Sequence, residues 1–245
     1  MKKEFVFGLH PVMEAIKSGQ EIDKILVQKQ VNEQLKEVLQ QAHLHQVPIQ
    51  KVPPEKLKRV TGKNHQGIIA LMSAISFASL DHVIQSAYQQ ARDPFLLICD
   101  HITDVRNLGA IARSAECAGV DALVLPATGS AQINSDAIKT SAGALNHLPV
   151  CRDRTLKSAA EFIQNNGVSL VAVTEKAQQS IFDLDLAGPV CLVVGSEEKG
   201  IDPELINMAA KKCHIPMQGK IGSLNVSVAA AIVLYQVVRQ RLISI

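Results

Sequence analysis

At 245 residues the chain has room for one large α/β domain, or for a small domain joined to a larger one. Hydrophobic residues make up 47% of it, aromatics only 3%, and Trp is absent, so the core is aliphatic and aromatic stacking platforms for single-stranded bases are disfavoured. A net charge of +2 divides unevenly: 11 Lys+Arg stand against 7 Asp+Glu in residues 1–78 and 14 against 16 in residues 79–245, a mild basic excess at the front that is compatible with a polyanion partner.

The front of the chain alternates β-type runs with amphipathic helical ones. FVFG is followed by the helical HPVMEAIKSG, the strand DKILVQK, the helical VNEQLKEVLQQAHLH, the strand PIQKV, the short helix PPEKLKRVTG and the strand GIIALMS. This predicts a compact unit over residues 1–75. AISFASLD then reads as a connector and HVIQSAYQQARD as a helix, so residues 76–90 form a linker and first helix ahead of a larger domain over 91–245. Within that domain FLLICD, DALVLP, VSLVAVT and PVCLVVG are short apolar runs, each followed by a turn and helical material. Continuous apolar runs mark strands buried on both faces, which predicts an α/β fold with a mainly parallel sheet.

Cys99, Cys117, Cys151, Cys191 and Cys213 are odd in number and lack Cys-x-x-Cys spacing; they read as reduced core residues of a cytoplasmic protein. MKKEFVFGLHP fits no signal peptide, and no run of about 18 apolar residues suggests a membrane span.

Parallel sheets bind ligands beyond the carboxyl ends of their strands, which directs attention to three loops: DHITDVRNLGAIARSAECAG, GSEEKGIDPEL and HIPMQGKIGSLNVS. No G-x-G-x-x-G follows a strand and no G-x-x-x-x-G-K-S/T occurs, so the usual nucleotide fingerprints are missing. Gly195 either lets a flat ring or ribose lie against the main chain or serves a plain turn. Asn107 can cap a helix that carries Arg113 and stops at Gly119. From Val226 onward IGSLNVSVAAAIVLYQ reads as a buried helix with Ser223, Asn225 and Ser227 at its mouth, Ser227 being a helix-start residue.

Together these loops resemble, in order, the three motifs of the SpoU (TrmH) branch of the knotted SPOUT methyltransferases: RNLGAIARSAECAGVDALVLP, LVVGSEEKGI and IPMQGKIGSLNVSVAAAIVLYQ. FGLHPVMEAI and HQGIIA look like the small substrate-binding domain of family members that 2′-O-methylate a guanosine in large-subunit ribosomal RNA. Val105 and Arg106 stand where relatives often carry a Pro-His pair.

The resemblance implies a C-terminal α/β trefoil-knot domain preceded by a small α/β substrate-binding domain. It implies S-adenosylmethionine held at Gly195, Ile215 and Leu224, with Arg113, Asn107, Glu197, Ser223 and Asn225 around the reacting ribose of a guanosine in 23S ribosomal RNA. Alternatives are methylation of transfer RNA or another ribosomal site, or a non-catalytic RNA-binding or assembly protein. Arg113 would grip a phosphate and stabilise the forming alkoxide, since a guanidinium rarely gives up its proton. Glu197 would orient Arg113 or accept a proton. Lys2, Lys3, Lys56, Lys58, Arg59 and Lys63 would hold the RNA backbone. The expected assembly is a homodimer through the knotted domain, with no DNA or membrane partner. His101, His147 and His214 are scattered, and the chemistry calls for no metal.

Overall fold

The computed structural model describes residues 5–243 and divides the chain into two units, one of residues up to 76 with 132–135 and one of residues 77–131 with 136 onward. Lys2 and Lys3 lie outside the described residues.

The first unit runs β1 (Phe5–Phe7), α1 (Leu9–Lys17), β2 (Ile22–Gln28), α2 (Glu33–Leu44), β3 (Ile49–Val52), α3 (Pro54–Val60) and β4 (Ile68–Met72). Its sheet has the order β1-β4-β2-β3, with β2 parallel to β3 and antiparallel to β4. Alternation along β2 divides two apolar clusters. Ile25 and Val27 face Val12, Ile16, Leu35 and Val38 of α1 and α2, whereas Leu26 packs with Val52, Ile69 and Leu57 of α3. Asn32 starts α2 by accepting from Leu35 N at 2.9 Å, and Pro54 starts α3, where a missing N–H costs nothing. Burying Leu57 leaves Lys56, Lys58 and Arg59 of α3 exposed, and Lys63 beyond it is exposed as well.

In the second unit α4 (Leu80–Gln89) is capped by Ser79, so the helix begins two residues before the predicted His82. There follow β5 (Phe95–Asp100), α5 (Val105–Cys117), β6 (Ala122–Pro126), α6 (Ser135–Thr140), β7 (Val150–Asp153), α7 (Leu156–Asn165), β8 (Ser169–Val173), β9 (Gln179–Ser180), β10 (Val190–Gly195), α8 (Pro203–Met208), β11 (Lys211–His214) and α9 (Val226–Ile243). All pairings in the sheet β7-β6-β5-β10-β8-β11-β9 are parallel. The four apolar runs are β5, β6, β8 and β10. Three further strands, β7, β9 and β11, escape that reading.

Every residue of β5 is buried, as a strand covered on both faces must be. Leu96, Ile98, Cys191 and Val193 face the side of Ile84 (α4), Ala159 and Ile163 (α7) and Leu205 (α8). The alternate residues project to the other face, where α9 packs against α5 and β10. Cys99, Cys151, Cys191 and Cys213 are buried, and burial pushes the thiols of Cys99, Cys151 and Cys213 up to about 12. Cys117 departs from the core reading: it is exposed at the end of α5.

Among the described residues α9 is the one helix long and apolar enough to cross a membrane. Here it lies on the sheet through Val226, Ala230, Val233, Leu234 and Val237, while Val228, Tyr235, Leu242 and Ile243 face outward.

Candidate active site

The carboxyl ends of β8, β10 and β11 frame a pocket of about 800 Å³. Its walls include Gly195, Ile215 and Leu224, the three positions expected to hold a cofactor, along with Glu197 and Ser223. Val194, Ile201, Ile206 and Val226 supply an apolar lining, and Glu175, Lys176, Glu198 and Lys199 supply charges. Gly195 is where the loop 196–201 folds back on the strand: a Cβ there would stand 2.2 Å from the carbonyl carbon and oxygen of Gly200. The glycine is therefore demanded by the chain's own backbone. Of the two readings of Gly195, the turn has its cause here, and the glycine lines the pocket as well.

Beside the pocket three side chains from the three predicted loops meet. Asn225 Nδ2 donates to Glu197 Oε1 at 2.8 Å and to Asn107 Oδ1 at 3.1 Å, and Val226 N donates to the same Glu197 oxygen at 2.9 Å. Asn225 Oδ1 accepts from Ser227 N at 3.0 Å, which makes Asn225 the cap of α9 and Ser227 a helix-start residue. A carboxylate at a helix N-terminus is favoured by the unpaired N–H groups and the positive end of the dipole. Glu197 thus anchors α9 from a loop that the sequence places 29 residues away.

Asn107 is not a helix cap. Asp104 caps α5, its Oδ1 accepting from Arg106 N at 2.6 Å and Asn107 N at 3.3 Å, and the Arg106 guanidinium beside it holds the Asp104 carboxyl below the usual carboxylate range. In the first turn of the helix, the Asn107 side chain is left to accept from Asn225. Gly119 follows α5 at φ +75°, as the stop signal predicted.

Arg113 is exposed, lies outside the pocket lining and makes no ion pair or hydrogen bond among the described residues. The expected Arg113–Glu197 pair is absent among them because the α9 terminus satisfies Glu197 instead. Ser223 lies on the pocket wall without joining the Asn–Glu–Asn cluster.

Sequence reasoning missed Thr174, Glu175, Lys176 and His214, which line the pocket from the ends of β8 and β11. The run VSLVAVT pointed to the first three, but β11 has no apolar run to announce it.

Known proteins resemble both units. Residues 94–235 match the SpoU rRNA Methylase family, and residues 5–78 match the RNA 2′-O ribose methyltransferase substrate binding family. A Bacillus subtilis protein named as a TrmH family tRNA/rRNA methyltransferase is 33% identical over 97% of this chain and 96% of its own. A Staphylococcus saprophyticus protein named the same way is 34% identical over 98% and 97%. Among solved structures, the SpoU methyltransferase AviRb of Streptomyces viridochromogenes, in complex with the cofactor AdoMet, has a TM-score of 0.62 at 24% identity, covering 97% of this chain and 90% of that one. An RNA 2′-O ribose methyltransferase has a TM-score of 0.59 at 27% identity, covering 97% and 88%. With more than half of its length matched by the family model and relatives a third identical along nearly all of it, the chain belongs to the SpoU (TrmH) family of RNA methyltransferases, of the SPOUT fold class.

Proposed function

We propose that the protein transfers the methyl group of S-adenosylmethionine to the ribose 2′-OH of a guanosine in 23S ribosomal RNA, acting as a cytoplasmic homodimer. The observation that carries this reading is the meeting of Asn107, Glu197 and Asn225 at the rim of a pocket about 800 Å³ in volume. Such a volume lies within the span of small-molecule sites, roughly 300–1,000 Å³. The lining fits the donor: Ile201, Ile206 and Leu224 suit an adenine face, and Lys176 and Glu175 suit a carboxylate and an ammonium group. When bound there, that donor supplies an electrophilic methyl group.

The residues of the chain then align and activate the hydroxyl, and alignment alone is worth about 7–11 kcal/mol in favourable cases. Asn107 and Asn225 hold the ribose or its phosphate by their amides. Both observed bonds to Glu197 fall on Oε1, so Oε2 is the oxygen positioned to take the hydroxyl proton, directly or through water. Ser223 donates from the pocket wall. Arg113, unengaged among the described residues, grips a phosphate beside the target and stabilises the negative charge on the attacking oxygen.

The second copy docks on the outward apolar residues of α9, Val228, Tyr235 and Leu242. Val228, Tyr235 and Leu242 recur every seven residues and so share one face of the helix, and an outward apolar stripe of this kind needs cover. The front domain, residues 1–75, supplies RNA grip through Lys56, Lys58, Arg59 and Lys63, and its match to a substrate-binding family supports that role.

Ribosomal and transfer RNA from cells lacking the gene, digested to nucleosides and mapped for alkali-resistant linkages, test the proposal. One 2′-O-methylguanosine absent from 23S RNA and restored by the gene is the expected result. Loss from a transfer RNA instead would favour the second reading, which the names of the relatives, covering both RNAs, support. An unchanged pattern would overturn both.

A further inference from the structure

Asp100, the last residue of β5, fastens both ends of the loop 196–202. Its main-chain oxygen accepts from Ser196 N at 3.1 Å, and its carboxylate Oδ2 accepts from Asp202 N at 2.7 Å. β5 and β10 run parallel in register, with Asp100 opposite Gly195, so the strand that ends at Asp100 delivers its side chain to the far side of the loop that leaves Gly195. Between the two fastenings the loop closes on itself: Gly200 N donates to Ser196 O at 2.8 Å and Lys199 N to Ser196 Oγ at 3.1 Å.

Asp100 is only 5% exposed and lines a second, smaller cavity that shares no residue with the pocket. Its Oδ1 stands 2.9 Å from His101 Nδ1, within ion-pairing distance but without the angles of a hydrogen bond. His101 itself sits at φ +56°, a left-handed conformation that few non-glycine residues adopt, and this turns the chain sharply where β5 ends.

We infer that Asp100 is a positioning residue for the donor site: it holds the loop 196–202 in the one shape that lines the pocket and delivers Glu197 to the start of α9. A buried carboxylate is costly unless its oxygens are hydrogen-bonded. Here one oxygen takes the N–H that closes the loop. Released from it, Ser196, Glu197 and Ile201 lose their fixed place on the pocket wall. The inference rests on the donor-binding reading of the pocket and deepens it.

The test is direct binding of S-adenosylmethionine to the full-length protein by calorimetry, with methyl transfer measured in parallel. Asp100→Ala is expected to weaken donor affinity about tenfold or more, the worth of one hydrogen bond to a charged group. The KM for RNA should stay unchanged, and Asp100→Asn, which keeps an oxygen for Asp202 N, should hold donor affinity within about threefold of the parent. Asp202→Pro removes the N–H from the other side at a residue whose φ of −53° a proline accepts, with Asp202→Ala as control for the lost α8 cap. The proline variant should share the Asp100→Ala loss and the alanine control should not. If the parent protein binds no donor, the reading of the pocket falls. If the parent binds and both Asp100→Ala and Asp202→Pro bind equally well, the positioning role falls while the pocket stands. A merely structural role would lower the melting temperature of Asp100→Asn and Asp100→Ala alike and move RNA and donor constants together.

Discussion

Glu197 and Asn225 meet at 2.8 Å across 28 residues of sequence, and this one bond ties the loop leaving β10 to the start of α9. Replacing Glu197 with Ala leaves Asn225 Nδ2 short of a partner and Val226 N without its acceptor. The expected costs are about 1 kcal/mol of stability, the usual worth of a helix cap, and a fall in kcat of about a hundredfold or more. Glu197→Gln retains the one acceptor oxygen that takes both bonds but no base, so its melting temperature should lie close to the parent's while its kcat falls as far as that of the Ala variant. A Gln variant with normal turnover would remove Glu197 as proton acceptor.

Arg113 has no partner among the described residues, which makes it free to serve a site elsewhere. Arg113→Ala should reduce turnover about 10²- to 10³-fold with donor affinity unchanged, and Lys should not restore it, because a planar fork is what grips a phosphate. Mixing inactive Arg113→Ala subunits with inactive Asn225→Ala subunits tests where the arginine acts. Recovered activity in the mixed dimer would place it in the partner's site, and none would place it in its own.

Tyr235 is half exposed in the middle of α9, between the outward residues Val228 and Leu242. Tyr235→Glu should shift the sedimentation of the purified protein from dimer to monomer and abolish methylation, since a charge in an apolar interface has no partner. A variant that remains dimeric would move the interface off α9.

Gly195 has no room for a side chain. Gly195→Ala forces a shift of the 200–201 backbone and should cost about 1–3 kcal/mol, with loss of donor binding, as thermal melting and calorimetry would read.

On α3, reversing Lys56, Lys58 and Arg59 to Glu should weaken RNA binding uniformly across sequences. The slope of log affinity against log salt should flatten by about one for each phosphate no longer neutralised. An unaltered slope would take this helix out of the RNA-binding surface.

How far these features can be read from the sequence depends on how local their causes are. β5 and β10 announce themselves because burial on both faces calls for apolar residues throughout, Asp100 at the end of β5 being the charged exception. β11 does not, because Lys211 and Lys212 leave only Cys213 fully buried. In the stretch TDVRN both Asp104 and Asn107 have cap-forming side chains, and only the backbone shows that Asp104 takes the Asn107 N–H for itself. The three loops are identifiable by motif, and so are Asn107, Glu197 and Asn225. What no local pattern carries is the choice of partners: Glu197 prefers a helix terminus to Arg113, and the Asp100 carboxylate meets Asp202 N from a parallel strand 102 residues away.

The far end of α9 is tied down as firmly as its start. Gln240 Nε2 donates to Leu184 O, Gln240 Oε1 accepts from Leu186 N, and Arg241 Nη2 donates to Pro94 O and Gly188 O, just ahead of β5 and β10. One helix of about 27 Å therefore spans the second unit from the beginning of its sheet to the rim of its pocket. During synthesis it emerges from the ribosome after every strand it covers. A translation product cut short before residue 225, however well its sheet had formed, would lack the wall that Val226 and Ala229 complete, so the pocket exists only once α9 has been made.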